Sequence, residues 1–217
     1  MLTEIDSILF PENCEVVEMP LHNQFVYLIQ KNGSTRIRKI QNSQNLKVFA
    51  NEQIQDLDFV DVYIRHPTER YVSGVNTYLH HLKIDHPELD LPTAFWFAKE
   101  HKFLNRHYLP QFHWILNLSR YLAPHTKIRI RDFKDFSVIS TDIHRAGVIP
   151  SDDDFKKKLL DNNKGIEFWL FLDRILLDLV GEEMTWAEIL NHYKKTHKST
   201  FDVIYQRFAQ ISKNVLP

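Results

Sequence analysis

Three short runs of β-branched and aromatic residues, each followed by a turn and then by helical spacing, limit what this chain can become. "NQFVYLIQ" (23–30), "FVDVYIR" (59–65) and "TKIRIRDF" (126–133) read as strands, and "LKVFA" (46–50) as a shorter one. In "TKIRIRDF", Ile128 and Ile130 alternate with Arg129 and Arg131, the period of two expected of a strand with one wet face. Helical spacing fills much of the rest: 67–82, opening at Pro67, then 91–104, 152–163, 167–180, 185–196 and 199–213. In the last of these, Phe201, Ile204, Tyr205, Phe208 and Ile211 fall on one stripe that suits a core. Strands that alternate with helices early, and helices that dominate late, predict an α/β fold. Its mostly parallel sheet is flanked by helices, and its C-terminal half is helix-rich. Glycine occurs only five times and no linker or repeat is visible, so residues 1–217 read as a single domain.

The totals exclude several function classes. With 43% hydrophobic and 25% charged residues and a net charge of −1, no global field recruits nucleic acid or an anionic membrane. Any anion site must be a local cluster of positive groups. The single cysteine, Cys14, allows neither an intrachain disulfide nor a cysteine-based zinc site. The N-terminus lacks the basic and apolar regions of a secretory signal. The most apolar segment, "FWLFLDRILLDLV", is interrupted by Asp173, Arg174 and Asp178 and is shorter than the ~20 residues a span needs. A cytoplasmic setting without membrane span, nucleic-acid partner or metal is expected. The adjacent His80 and His81 lack helical metal-ligand spacing.

"YLIQKNGSTRIRK" (27–39) is ambiguous on local grounds. Asn32-Gly33 between apolar runs is a strong hairpin signal. The same residues also read as strand, tight loop and helix, which would gather backbone N–H groups around Lys31, Asn32, Gly33, Ser34 and Thr35 to hold an anion. Arg36, in the first helical turn, is a further candidate contact. A second stretch, "VYIRHPTERYVSGVNTYL", bears on the choice. It ends a strand at Arg65, turns through His66-Pro67 and continues as a helix with Tyr71, Val75, Tyr78 and Leu82 on one face. Arg70, Ser73 and Thr77 fall on another face, toward which Arg65 can project. Ligands of open α/β sheets bind outside the carboxyl ends of the strands, and a guanidinium beside a hydroxyl suits a phosphate. Two such sites favour the loop reading of "KNGST" and a ligand with two separated anionic groups.

"KNGST" after one strand and "RHPTERYVS" after a later one resemble the sulfotransferases that use 3′-phosphoadenosine 5′-phosphosulfate (PAPS). "NRHYLPQ" (105–111) is similar to a segment of their carbohydrate, chondroitin-type branch. "IRIRDFKDF" and the closing "FDVIYQRFAQI" extend the likeness over roughly residues 23 to 213. The chain departs from the family at Gln30, where proline is usual, and at Asp132. The resemblance implies a P-loop-like fold. It also implies that the Lys31–Thr35 loop holds the 5′-phosphosulfate and that Arg65 and Ser73, eight positions apart, hold the 3′-phosphate. Lys198 and Ser199 in "THKST" would belong to a late nucleotide-covering loop.

Sulfuryl transfer asks the protein for positioning and electrostatic stabilisation. The resemblance implies that Lys31 faces the leaving oxygen and that His107, in "NRHYLPQ", is the base for an acceptor hydroxyl, a carbohydrate by the branch it matches. His66, His80, His81 and His113 compete for the base role. Two other readings stand beside this one: a non-catalytic nucleotide- or glycan-binding module on the same fold, and a P-loop kinase. The kinase reading is the weaker, because no Gly-x-x-x-x-Gly-Lys-Ser/Thr spacing occurs.

Overall fold

Strands β2 (Gln24–Tyr27), β4 (Phe59–Ile64) and β5 (Lys127–Asp132) run parallel through the middle of a six-stranded sheet. The computed structural model describes residues 14–29, 32, 34–88, 90, 109–136 and 166–196. Within these it leaves aside the side chains of residues 35, 36, 83 and 166–169. Strand order is β3–β1–β2–β4–β5–β6, with β1 at Val16–Met19, β3 at Val48–Phe49 and β6 at Glu183–Met184. β1 is antiparallel to both β2 and β3, and β6 is antiparallel to β5. The sheet is therefore mixed rather than mostly parallel. Parallel pairing holds at its centre, while both edges are antiparallel. β1 turns tightly into β2, and the chain enters β6 from α5 (Ile166–Leu177) through a turn at Gly181.

Periodicity did not reveal β1, where Val16-Val17-Glu18-Met19 does not alternate, or the edge strand β6, which has two residues. β1 joins β2 through the 3-10 turn Pro20–His22 and Asn23, whose φ of 49° is left-handed and whose N–H donates to the Pro20 carbonyl at 3.2 Å. Asparagine tolerates that conformation at little cost. The hairpin thus lies upstream of Asn32-Gly33. After β2 the chain passes Asn32 into α1 (Ser34–Gln44), so the elements flanking the loop are strand and helix. Before β6, Gly181 takes φ 97°, and its N–H reaches the Ile130 carbonyl at 2.8 Å. A side chain at that φ would be strained.

A single turn, α2 (Asn51–Ile54), precedes β4. Helix α3 (Pro67–Asp85) follows β4 and starts at Pro67 as expected. Helices α5 (Ile166–Leu177) and α6 (Trp186–Thr196) match the predicted 167–180 and 185–196. Helix α4 (Gln111–Ser119) was not anticipated. Gln111, Phe112, His113, Trp114, Ile115, Asn117 and Leu118 are all buried, so it shows no amphipathic stripe. The helices expected at 91–104, 152–163 and 199–213 lie outside the described residues.

β2 and β4 divide their side chains between two apolar layers, and β5 gives Ile128 and Ile130 to one of them. Val60, Val62, Ile64, Ile128 and Ile130 meet Phe112 and Ile115 of α4, Leu172 and Leu176 of α5, and Ile189 and Tyr193 of α6. On the opposite face Val17, Val26, Leu28 and Tyr63 meet Ile37 of α1 and Phe136. The face of β5 expected to be wet is largely paired instead. Arg129 donates to the fully buried Asp61 at 2.6 Å and lies 3.4 Å over the Phe59 ring, and Arg131 approaches the same carboxylate at 3.4 Å. No described helix is long and apolar enough to cross a membrane.

Helix α6 opens with a capping box. The Glu188 carboxylate accepts from the Thr185 N–H at 2.7 Å and from Lys127 Nζ at 3.0 Å, and the Thr185 hydroxyl accepts from the Glu188 N–H at 3.3 Å. The backbone bond from Thr185, followed by the bond from Lys127, holds this carboxyl at about 2, below its ordinary 4.5. Its contribution to stability is therefore complete above pH 4.5 and fades as pH falls toward 2. Glu188→Gln should lower the melting temperature near neutrality, with the gap to the parent closing over that acid range. Thermal melts at several pH values test this, and a gap independent of pH would contradict it.

Candidate functional site

Because β2, β4 and β5 are parallel neighbours, their carboxyl ends share one end of the sheet. Asn32 and the start of α1 follow β2, Arg65 and the start of α3 follow β4, and Phe133 follows β5. In open α/β sheets this end is where ligands bind.

One buried amide ties these ends together. Gln111 is the first residue of α4 and is fully buried. Its Oε1 accepts from the Arg65 N–H at 2.8 Å and from Asn32 Nδ2 at 2.6 Å, while its Nε2 donates to the Arg65 carbonyl at 2.9 Å. Asn32, 3% exposed, also donates to the Tyr63 carbonyl at 2.6 Å. Both hydrogens of the Asn32 amide are thus committed to holding the loop against β4.

Behind Gln111 lies a buried ion pair without direct contact. Asp173 of α5, 3% exposed, accepts from the Phe112 N–H at 3.0 Å and from Gln111 Nε2 at 3.3 Å. Arg70 of α3, 1% exposed, donates from Nη1 to the Leu109 carbonyl. Burial lowers the Arg70 guanidinium to about 10, against the opposing pull of Asp173, with nearby Arg65 lowering it slightly further. Burial likewise raises the Asp173 carboxyl, while Arg70 and the bonds from Gln111 and Phe112 lower it. Each charge is thus held in place by the other and by backbone groups.

Arg65 itself stays accessible. Its side chain is 27% exposed, with Nε 3.6 Å from Glu69 one turn along α3 and the guanidinium 5.7 Å from the Phe133 ring centre. Ser34 is buried at the first position of α1, and the backbone of Thr35 and Arg36 forms that helix's first turn. Ser73 is half-buried on α3, where its carbonyl accepts from Thr77 Oγ1 at 3.1 Å. A partly exposed guanidinium at one strand end and a helix N-terminus at the adjacent one suit a ligand with two anionic groups.

The structure thus brings Asn32, Ser34 and Arg65 to one end of the sheet, with Ser73 on the helix that follows Arg65. Lys31, Gly33, His107, Lys198 and Ser199 lie outside the described residues. Of the competing histidines, His66 is exposed at the N-cap of α3, and His80 is half-buried with its ring 5.8 Å from that of His81. His113 is buried in α4, where an acceptor hydroxyl does not reach it. Arg70 does not share a solvent-facing polar stripe with Ser73 and Thr77; it turns inward. Among the described residues, no group of three or more His, Cys, Asp or Glu side chains is placed to hold a metal.

Sequence reasoning gave no role to Gln111 or Asp173. Gln111 closes the stretch "NRHYLPQ", but its contacts depend on where β4 ends. Asp173 did carry a signal, since a carboxylate inside an apolar helical run is commonly buried and partnered. Comparisons of the chain with family models, curated proteins and solved structures return no match in any of the three.

Asp173→Ala should be strongly destabilising. It leaves the Phe112 N–H, the Gln111 amide and the Arg70 guanidinium facing a cavity, and breaking a buried charge pair costs about 3 kcal/mol or more. Urea unfolding measures this. A loss below about 1 kcal/mol, the range of an exposed ion pair, would show that the network does not hold the site.

Proposed function

We propose that this chain is a PAPS-dependent sulfotransferase with a P-loop-like α/β fold, acting on an acceptor hydroxyl, with carbohydrate as the acceptor class. The observation that best supports the reading is the joining of two strand-end loops by one amide, at the carboxyl ends of parallel neighbours. This arrangement accommodates two anionic groups a fixed distance apart, as in a nucleotide carrying both a 3′- and a 5′-group. The resemblance of "KNGST", "RHPTERYVS" and "NRHYLPQ" to this enzyme family supplies the chemistry. A cytoplasmic setting belongs to the same reading.

PAPS, when bound, supplies the sulfuryl group. The roles of this chain's residues follow from where charge changes. Lys31 offers a positive charge to the phosphate oxygen on which negative charge grows, with backbone N–H groups of the loop and the α1 N-terminus beside it. Arg65 and Ser73 hold the 3′-phosphate, Arg65 as a planar fork and Ser73 as a compact donor. His107 takes the acceptor's hydroxyl proton, a role suited to an imidazole with an ordinary pKa of ~6.5. Lys198 and Ser199 complete the nucleotide cover.

Binding tests the nucleotide half. 3′-Phosphoadenosine 5′-phosphate (PAP) should bind more tightly than ATP or adenosine 5′-phosphosulfate, since neither carries a 3′-phosphate. Arg65→Ala should weaken PAP by one to two orders of magnitude, from the loss of a charged hydrogen bond of roughly 1.5–3 kcal/mol. The fold should survive, because the guanidinium is partly exposed and not in the core. Calorimetry reads both. Equal affinity for PAP and adenosine 5′-phosphosulfate would remove the 3′-phosphate site.

Turnover tests the catalytic half. Transfer from labelled PAPS should be screened against glycans, peptides and simple alcohols. On the acceptor found, His107→Ala should lower turnover by roughly 10²–10⁴-fold and leave PAP affinity nearly intact. Lys31→Ala should weaken both. Parental turnover by His107→Ala would move the base to another residue, with His66 beside Arg65 the next to test.

A further inference from the structure

We propose that Gln111 is a positioning residue that makes the loops after β2 and β4 a single ligand-holding unit, so that an anionic group captured at one strand end orders the other. Its partners Asn32 and Arg65 lie 79 and 46 residues away in sequence, yet both meet the same oxygen, at 2.6 and 2.8 Å. A primary amide has two acceptor sites and two hydrogens. Here both acceptor sites are used, by Asn32 Nδ2 and the Arg65 N–H, and both hydrogens point at acceptors, the Arg65 carbonyl at 2.9 Å and Asp173 at 3.3 Å.

The sense of the amide is fixed from behind. Asp173 as a carboxylate only accepts, so Nε2 must face it. A flipped amide would set oxygen against the Asp173 carboxylate and against the Arg65 carbonyl, and nitrogen against two donors. Asp173 is itself held by the Phe112 N–H and by the charge of Arg70. Any shift of the Asn32 loop must therefore break or carry with it the bond to Gln111, and with it the backbone at Arg65. Asparagine is one methylene too short to make the same four contacts, and glutamate would place a second carboxyl against Asp173.

The ligand half of this inference rests on the nucleotide reading above; the positioning half rests on the hydrogen bonds alone. Amide hydrogen exchange and chemical shifts of the full chain test both, using the parent, Gln111→Leu and Gln111→Glu, with adenosine 3′-phosphate as the probe. Without nucleotide, the Arg65 amide of Gln111→Leu should exchange about tenfold faster, the loss of one hydrogen bond of ~1.4 kcal/mol, while α6 amides keep their protection. With adenosine 3′-phosphate, which carries no 5′-group, the first-turn amides of α1 should shift in the parent and stay unmoved in Gln111→Leu. An unchanged Arg65 amide, or an α1 response that persists in the leucine variant, overturns the proposal.

Gln111→Glu covers the case in which leucine prevents folding. Its carboxyl would face Asp173, with Arg70 and Arg65 the nearby cations. Protonated, it keeps one donor, which can serve Asp173 while the other oxygen still accepts from the Arg65 N–H; ionised, it has no donor and repels Asp173. Burial and the like charge raise its pKa above the ordinary ~4.3, so Arg65 protection should be near parental at pH ~5 and fall as pH rises. Protection independent of pH in this variant would show that Gln111 only fills space, and overturns the proposal. If adenosine 3′-phosphate binds neither the parent nor the variants, the nucleotide reading fails, and the ligand-free exchange still decides the positioning role.

Discussion

The side-chain amide of Gln111 joins segments that the chain itself keeps far apart. Its oxygen receives the Arg65 N–H and the Asn32 amide, and its nitrogen returns to the Arg65 carbonyl. A backbone N–H and C=O just beyond the end of a strand normally seek water or a cap. Here the Gln111 side chain, from α4, satisfies both at the end of β4. That lets Arg65 project from a fixed base while its guanidinium stays partly in solvent.

The geometry of this clasp depends on charges set deeper in the molecule. Asp173 orients the Gln111 amide and caps the Phe112 N–H at the start of α4. Arg70 balances Asp173 and ties α3 to the Leu109 carbonyl. Three helices, α3, α4 and α5, therefore converge through polar contacts behind the sheet end, although each also packs apolar residues. Buried polar groups of this kind are costly wherever a partner is missing, as, among the described residues, at Arg70 Nε and Nη2 and Asn32 Oδ1, and they restrict the arrangement wherever one is made. The strand ends that carry Asn32 and Arg65 are thereby linked through side chains, and linkage of this kind lowers the ordering cost of any group bound there.

Much of this architecture was legible in the sequence. The strands at 24–27, 48–49, 59–64 and 127–132 and the helices at 67–85, 166–177 and 186–196 follow from hydrophobic period and turn residues, which act locally. The inner strand β1 and the edge strand β6 were not legible. Val16-Val17-Glu18-Met19 does not alternate between apolar and polar, β6 is a lone pair of residues, and the pairing of each depends on β2 or β5 being already in place. Helix α4 was missed for another reason: it is buried on nearly all sides, polar Gln111, His113 and Asn117 included, so no apolar stripe stands out against a wet face.

Around Asn32 local signals left a hairpin and a strand, loop and helix both open; what the sequence by itself determined is that a strand ends at Arg65 and that a helix opens at Pro67. These are consequences of short-range sterics and of apolar spacing. Only the tertiary structure decided that β2 and β4 are adjacent and parallel, that Arg70 turns inward while Arg65 does not, and that Gln111 and Asp173 belong to the same site. Those outcomes depend on which segments meet across the sheet. A glutamine in a loop motif and an aspartate in an apolar helix have no fixed meaning until packing sets a donor or an acceptor opposite each of them.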